Sequence, residues 1–138
     1  MTRAALSFIA FTVPGEAVPW SRAGSNSGQR YTPNRQAAFM GVVKLFASQA
    51  MAGQEPMTGP IELSVRATYL VPKSWPAKRR ATARWKATKG DLSNVIKLLE
   101  DAMNGIVYHD DAQIASLVAQ KTYSPLAGLT VSVSLLDS

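Results

Sequence analysis

The chain has 138 residues, no cysteine, one histidine and a formal charge of +6. That length suits one compact domain, residues 1–138, able to bury roughly two-thirds of its unfolded surface. The composition excludes disulfides, thiolate chemistry, cysteine-ligated zinc and a multi-histidine zinc site within one chain.

The first apolar run, AALSFIAFTV, follows Arg3 and leads straight into a Val-Pro-Gly turn. It lacks a convincing small-residue cleavage site and is too short to span a bilayer, so it reads as a strand over Leu6 to Val13 and not as a signal peptide. The expected location is the cytoplasm. The segment PGEAVPWSRAGSNSGQRYTPNRQ is rich in Gly, Pro, Ser and Asn and predicts a long loop of the kind that carries function. Thr32 then fits an N-cap with Pro33 at the first helical position. Phe39, Val42, Val43, Phe46 and Ala50 recur at helical spacing, which predicts a helix to about Met51 with that face on the core. Ile61, Leu63, Val65, Ala67, Tyr69 and Val71 alternate as in a strand buried on one face. Ser74 can cap a short helix after it. Leu92, Val95, Ile96, Leu99, Met103 and Ile106 form an apolar helical stripe, stopped by Asn104-Gly105. Two strands follow, about Gln113 to Tyr123 and Leu129 to Leu136, joined through SPLAG as a hairpin or short loop, the expected form being a C-terminal β-hairpin. The pattern is that of an α+β domain with helices packed on a small mixed sheet.

The charge is unevenly placed. Met1 to Gly90 holds 13 Lys/Arg against 3 Asp/Glu, a net +10, whereas Asp91 to Ser138 holds 2 against 6, a net −4. The densest basic stretch, KSWPAKRRATARWKATK from Lys73 to Lys89, has seven cations, two tryptophans and no acid. A solvated helix face usually mixes both signs, so an acid-free stretch points to a polyanion such as nucleic acid. Trp20, Trp75 and Trp85 can stack on bases or pack in the fold, and the residues alone allow both.

Five of the nine carboxylates, Asp91, Glu100, Asp101, Asp110 and Asp111, fall between positions 91 and 111. Asn94, Lys97, Asp101 and Asn104 form a polar stripe on the helix after Asp91. Asp91 at a helix entrance and Asp110/Asp111 at a strand entrance can converge when that helix packs on the sheet. Convergent carboxylates repel unless a cation lies between them, and magnesium takes oxygen ligands of this kind. Such an ion polarises a phosphoryl oxygen and makes a nucleophile of water, while Lys97 can stabilise charge that builds on the phosphate. Each acid also has a plainer reading. Asp91 is a good N-cap, Asp110-Asp111 an ordinary turn pair, and Glu100 and Asp101 a solvated face with Lys97 at ion-pair spacing from Asp101. His109 can serve as a general base, although a metal-activated water needs none.

Taken together, Asp91-Leu92-Ser93-Asn94, Lys97, Asp101-Ala102-Met103-Asn104-Gly105 and Asp110-Asp111-Ala112-Gln113-Ile114 resemble the acidic block of the RusA family of Holliday junction resolvases, common in prophages. FTVPGEAVPWSR, YTPNRQ and VPKSWPAKRR resemble its leading strand, loop, helix start and basic segment, so the resemblance spans about Phe11 to Tyr123. It implies a homodimeric, magnesium-dependent endonuclease, with manganese as a possible substitute, that makes paired symmetric nicks in four-way DNA junctions. By position, Asp91, Lys97 and Asp111 would be catalytic, and Asp91, Asp110 and Asp111 would bind the metal. Ser93, Asn94 and Asp101 would support the site. Arg22, Arg30, Lys73, Lys78, Arg79, Arg80, Arg84, Lys86 and Lys89 would hold DNA. Ser93 departs from the pattern, which usually has a second aspartate there; serine supplies no charge and is a weaker magnesium ligand. Two other readings stay open: a noncatalytic junction-binding protein with a metal site impaired at Ser93, and a basic protein that binds another protein or RNA.

Overall fold

A computed structural model of the chain describes residues 6–18, 31–88 and 91–137. Most of the loop before the first helix lies outside them, and with it Trp20, Arg22 and Arg30; Lys89 lies outside them too. The elements are β1 (Phe8–Pro14), α1 (Tyr31–Met51), β2 (Ile61–Tyr69), α2 (Ala77–Thr82), α3 (Leu92–Met103), β3 (Ile114–Tyr123) and β4 (Gly128–Leu135). They make an α+β fold around a four-stranded mixed sheet of order β1-β4-β2-β3.

β2 lies inside this sheet because its composition suits burial. Ile61, Leu63, Val65, Ala67 and Tyr69 all face the core, and both edges are paired, antiparallel to β4 and parallel to β3. The expected hairpin between β3 and β4 is therefore corrected: β2 separates them. Only residues 124–127 link the two strands, enough to cross the roughly 10 Å of two strand spacings. The crossing is fastened to the end of β2. The Ser124 N–H donates to the Tyr69 carbonyl at 2.9 Å, and the Thr68 hydroxyl reaches the carbonyls of Leu126 and Gly128 at 3.0 and 3.1 Å.

The helices lie on the core side. α1 begins at Tyr31, so Thr32 falls within its first turn and not before it. It packs on β1 and α3 through Val43, Ala47 and Met51. Val42, expected on the same face, is 41% exposed; successive residues are 100° apart, and with Val43 centred on the core Val42 turns away. α3 buries Val95, Ile96, Leu98, Leu99, Ala102 and Met103, a wider stripe than its spacing suggests. It stops where Asn104 leaves the helix and Gly105 takes a left-handed φ of 81°. α2 buries no side chain and starts after Pro76 without a side-chain cap, so Ser74 does not cap it. Its anchor is Trp75, whose ring meets that of Tyr123 edge-on at 5.3 Å beneath the Arg79 guanidinium at 3.6 Å. The following residues lie along the outer edge of β3: Tyr123 N–H donates to Arg84 at 2.7 Å and Lys86 N–H to Lys121 at 3.1 Å.

Among the described residues no helix is long and apolar enough to cross a membrane.

The parallel pairing sets Ser64 beside Val118 on the face away from the helices. In this cysteine-free chain, a Ser64→Cys/Val118→Cys double variant should cross-link under mild oxidation, read by gel mobility and peptide mass. A folded variant that stays reduced would contradict the pairing.

Candidate active site and nucleic-acid surface

The acidic turn is built on two polar contacts, one made by a buried side chain and one by a half-buried side chain. Tyr108 is fully buried and its hydroxyl donates to the Glu100 carbonyl at 2.8 Å, beneath the last turn of α3. Burial, reinforced by Glu100 and the nearby aspartates, pushes that hydroxyl well above the usual tyrosine value, so it remains a donor. Gln113 supplies the second contact. Its amide oxygen accepts the N–H groups of His109 and Asp110 at 2.7 and 3.0 Å, and its amide nitrogen donates to the carbonyls of Met57 and Gly59, both at 2.9 Å. One side chain thus joins the turn before β3 to the loop before β2.

Asp110 and Asp111 stand on this clamp. Asp110 caps the short 3-10 turn Asp111–Gln113, its Oδ1 accepting the Ala112 N–H at 3.2 Å. A hydrogen bond with the Asp110 side chain is the main reason that the Asp111 carboxyl titrates above the ordinary aspartate value; partial burial and the charges of Asp110 and Asp101 add to it. Glu100 is likewise raised, by burial first and then by Asp111 and Asp101. Four acids therefore share one electrostatic neighbourhood at the exit of α3.

Asp91 is not among them. It caps the entrance of α3, with Oδ1 accepting the Ser93 N–H at 3.0 Å and Oδ2 accepting the Asn94 amide at 3.3 Å. Ten residues of helix separate it from Asp101, an axial rise of about 15 Å. The expected meeting of Asp91 with the Asp110/Asp111 pair does not occur within this chain, because the buried Tyr108 holds that pair at the opposite end of α3. Among the described residues no three acid or histidine side chains are grouped to hold a metal ion. Lys97 is exposed midway along α3, between the two acidic ends, as are Ser93 near its start and Asp101 near its exit. His109 places Nε2 at 3.4 Å from the Thr58 hydroxyl, outside the carboxylate pair. The donor chemistry nevertheless fits a hard divalent ion: adjacent carboxylates, one with a raised proton affinity, are what such a cation relieves.

The basic residues lie beyond the other end of β2. Lys73, Lys78, Arg79, Arg80 and Arg84 are exposed, and Lys86 is half-buried with its ammonium 5.1 Å from the Tyr69 ring. Lys73 and Arg80 line an open cleft of about 490 Å³ floored by Leu70 and walled by Tyr123 and Pro125. No acid lines it, which suits a phosphate chain.

The Endodeoxyribonuclease RusA family matches residues 14–134. This chain belongs to the RusA family. It is also similar to the uncharacterized protein YqaN of Bacillus subtilis (strain 168), with 31% identity over 126 residues, covering 84% of this chain and 88% of that protein. The RusA match takes in both the acidic turn and the basic segment. It makes the chain an endodeoxyribonuclease of the Holliday junction type, acting on branched DNA, in a family whose nucleases depend on divalent metal ions.

Gln113 and Tyr108 are the positioning residues that a reading of the sequence misses. Gln113 stands out only as a letter of the motif, because its carbonyl partners lie 54 and 56 positions away. Gln113→Ala should cost about 2 kcal/mol in urea unfolding, since four backbone groups lose their partner. For Glu100 the sign of linkage is clear: a raised folded value means that its contribution to stability falls as pH rises through the carboxylate range toward neutral. Glu100→Gln should flatten that fall in unfolding midpoints measured from acid to neutral pH; an unchanged slope would contradict the assigned environment.

Proposed function

We propose that this RusA protein is a magnesium-dependent resolvase, with manganese as a substitute, that nicks a four-way DNA junction symmetrically as a homodimer. The observation that best supports the metal assignment is the Asp110/Asp111 pair, two carboxylates fixed close together by a backbone cap and by Gln113. Asp91, Asp110 and Asp111 would hold the ion, with Asn94, Ser93 and Asp101 supporting them. When bound, the ion supplies positive charge to the phosphodiester and makes water more acidic.

The residues of the chain do the rest. In hydrolysis a P–O bond forms to water and a P–O bond to the sugar breaks, with the water's proton passing to solvent and a proton returning to the leaving oxygen. Lys97 offsets charge on the phosphate during that exchange. Arg22, Arg30, Lys73, Lys78, Arg79, Arg80, Arg84, Lys86 and Lys89 hold the DNA backbone, so binding should weaken by about 0.9 log units per phosphate contact for each log unit of salt. A two-fold dimer matches the two equivalent strands of a junction. It also offers a physical answer to the separation of Asp91 from Asp111: if α3 lies antiparallel to the same helix of a second copy, the entrance of each faces the acidic exit of the other.

Ser93 decides how strong the site is. It sits in the first turn of α3, where a helix dipole favours an acid, so Ser93→Asp should fold well and tighten metal binding. The alternative is a junction-binding protein without hydrolysis.

The test is cleavage of a labelled synthetic four-way junction with and without magnesium. We expect paired nicks that require the metal and fall by more than about a hundredfold in Asp111→Asn, because even outer partners of a metal are worth 10–100-fold. Tight binding with no nicks, followed by nicks in Ser93→Asp, would establish the noncatalytic alternative. Magnesium should also raise the melting temperature of the wild type more than that of Asp111→Asn.

A further inference from the structure

The face of the sheet away from the helices carries a second, smaller groove of about 230 Å³ at the ends of β2 and β3. We infer that it holds one unpaired nucleotide of the DNA substrate, with Arg66 and Arg84 on the phosphate and Trp85 stacked on the base. The inference rests on the reading of the chain as a branched-DNA nuclease and adds a subsite to it.

Three features carry the argument. The first is charge. Arg66 projects from β2 and Arg84 from the segment along β3, and no carboxylate lines the groove. Glu62, the acid on this face of the four strands, lies two rungs down β2 and accepts a hydrogen bond from Ser116 at 2.8 Å. The second is Trp85. Trp75 is committed to Tyr123 and Arg79, whereas Trp85 is 57% exposed. Its backbone is bridged to Thr122, and the flanking hydrogen bonds to β3 fix it at the rim. The Arg84 guanidinium lies 5.1 Å from its ring, so cation and aromatic plane are presented together, the pairing that binds single strands without regard to sequence.

The third feature is size and floor. The groove is below the roughly 300–1,000 Å³ of a small-molecule pocket, which suits one base or phosphate of a polymer better than a free ligand. Its floor is polar, with Gln120 and Thr122 of β3 beside Thr68, whose hydroxyl is already used to hold the β3–β4 crossing. β3 places this groove roughly 25 Å from the acidic turn, the rise of about seven base-pair steps. A strand unpaired at the branch would therefore be gripped several nucleotides from the bond that is cut.

The experiment measures binding of a fluorescein-labelled twelve-nucleotide oligothymidine and of a duplex of equal length to the full chain by anisotropy across a salt series. Arg66→Gln and Trp85→Leu should each weaken oligothymidine binding about tenfold. Arg66→Gln should reduce the salt slope by about 0.7, the value for one phosphate on a single strand, and Trp85→Leu should leave the slope unchanged. Duplex binding should not respond to Trp85→Leu. Circular dichroism melts confirm that each variant is folded. Equal losses on duplex and single strand would overturn the proposal by showing a general anion surface; so would unchanged oligothymidine binding in both variants, which would leave the face to a protein partner. If no variant or metal condition yields junction cleavage, the nuclease reading fails while the groove still stands or falls on Arg66 and Trp85.

Discussion

The parallel pairing of β2 with β3 is the constraint from which the layout of the protein follows. Parallel neighbours cannot be joined by a turn, so the chain must travel from the end of β2 back to the start of β3. Residues 70–113 make that journey and contain α2, α3 and both charged segments. The basic stretch leaves from the far end of the strand pair, and the acidic turn arrives at the near end, beside the Met57 and Gly59 carbonyls that precede β2. A charge gradient along the sequence thus becomes a gradient along one pair of strands. The cations and the acids are thereby set at opposite ends of the strand pair, too far apart for one small phosphate ester to touch both.

The acids are tolerated because they are also structural. Asp91 and Asp110 each accept a backbone N–H at the start of a helical turn, a contact worth typically about 1 kcal/mol. These caps offset part of the repulsion among Glu100, Asp101, Asp110 and Asp111, which adds to the effect of burial on Glu100 and of the Asp110 hydrogen bond on Asp111. Tyr108 contributes differently: its buried hydroxyl ends on the Glu100 carbonyl and ties the carrier of the acids to the core.

Local periodicity made much of the fold readable. The alternation from Ile61 to Tyr69 and the stripe on α3 are signals that burial alone writes, and the Asn104-Gly105 stop follows from the left-handed turn. The failures share one cause, dependence on distant partners. SPLAG has the chemistry of a hairpin, but nothing within it reports that β2 enters between β3 and β4. Val42 and Val43 are equivalent until the position of the sheet chooses one. Asp91 and Asp111 belong to one motif in the sequence, yet the length of α3 and the anchor at Tyr108 keep them apart. The basic stretch was evident as composition, while Arg66, a lone cation in a strand, gains its meaning only beside Arg84 and Trp85.

Asn94 and Asp91 are joined for a related physical reason. A carboxylate offers about four lone-pair sites. The Ser93 N–H takes one on Oδ1 and the Asn94 amide one on Oδ2, which fixes the plane of the group and leaves a site on each oxygen. A carboxylate held in this way loses little further freedom when it meets a cation. Asn94 thus acts as a positioning residue, and the geometry it imposes is independent of whether residue 93 is serine or aspartate, because the contact at 93 is made by the backbone. A change of charge at position 93 therefore leaves the orientation of Asp91 in place, because the Ser93 contact is made by its N–H and not by its side chain.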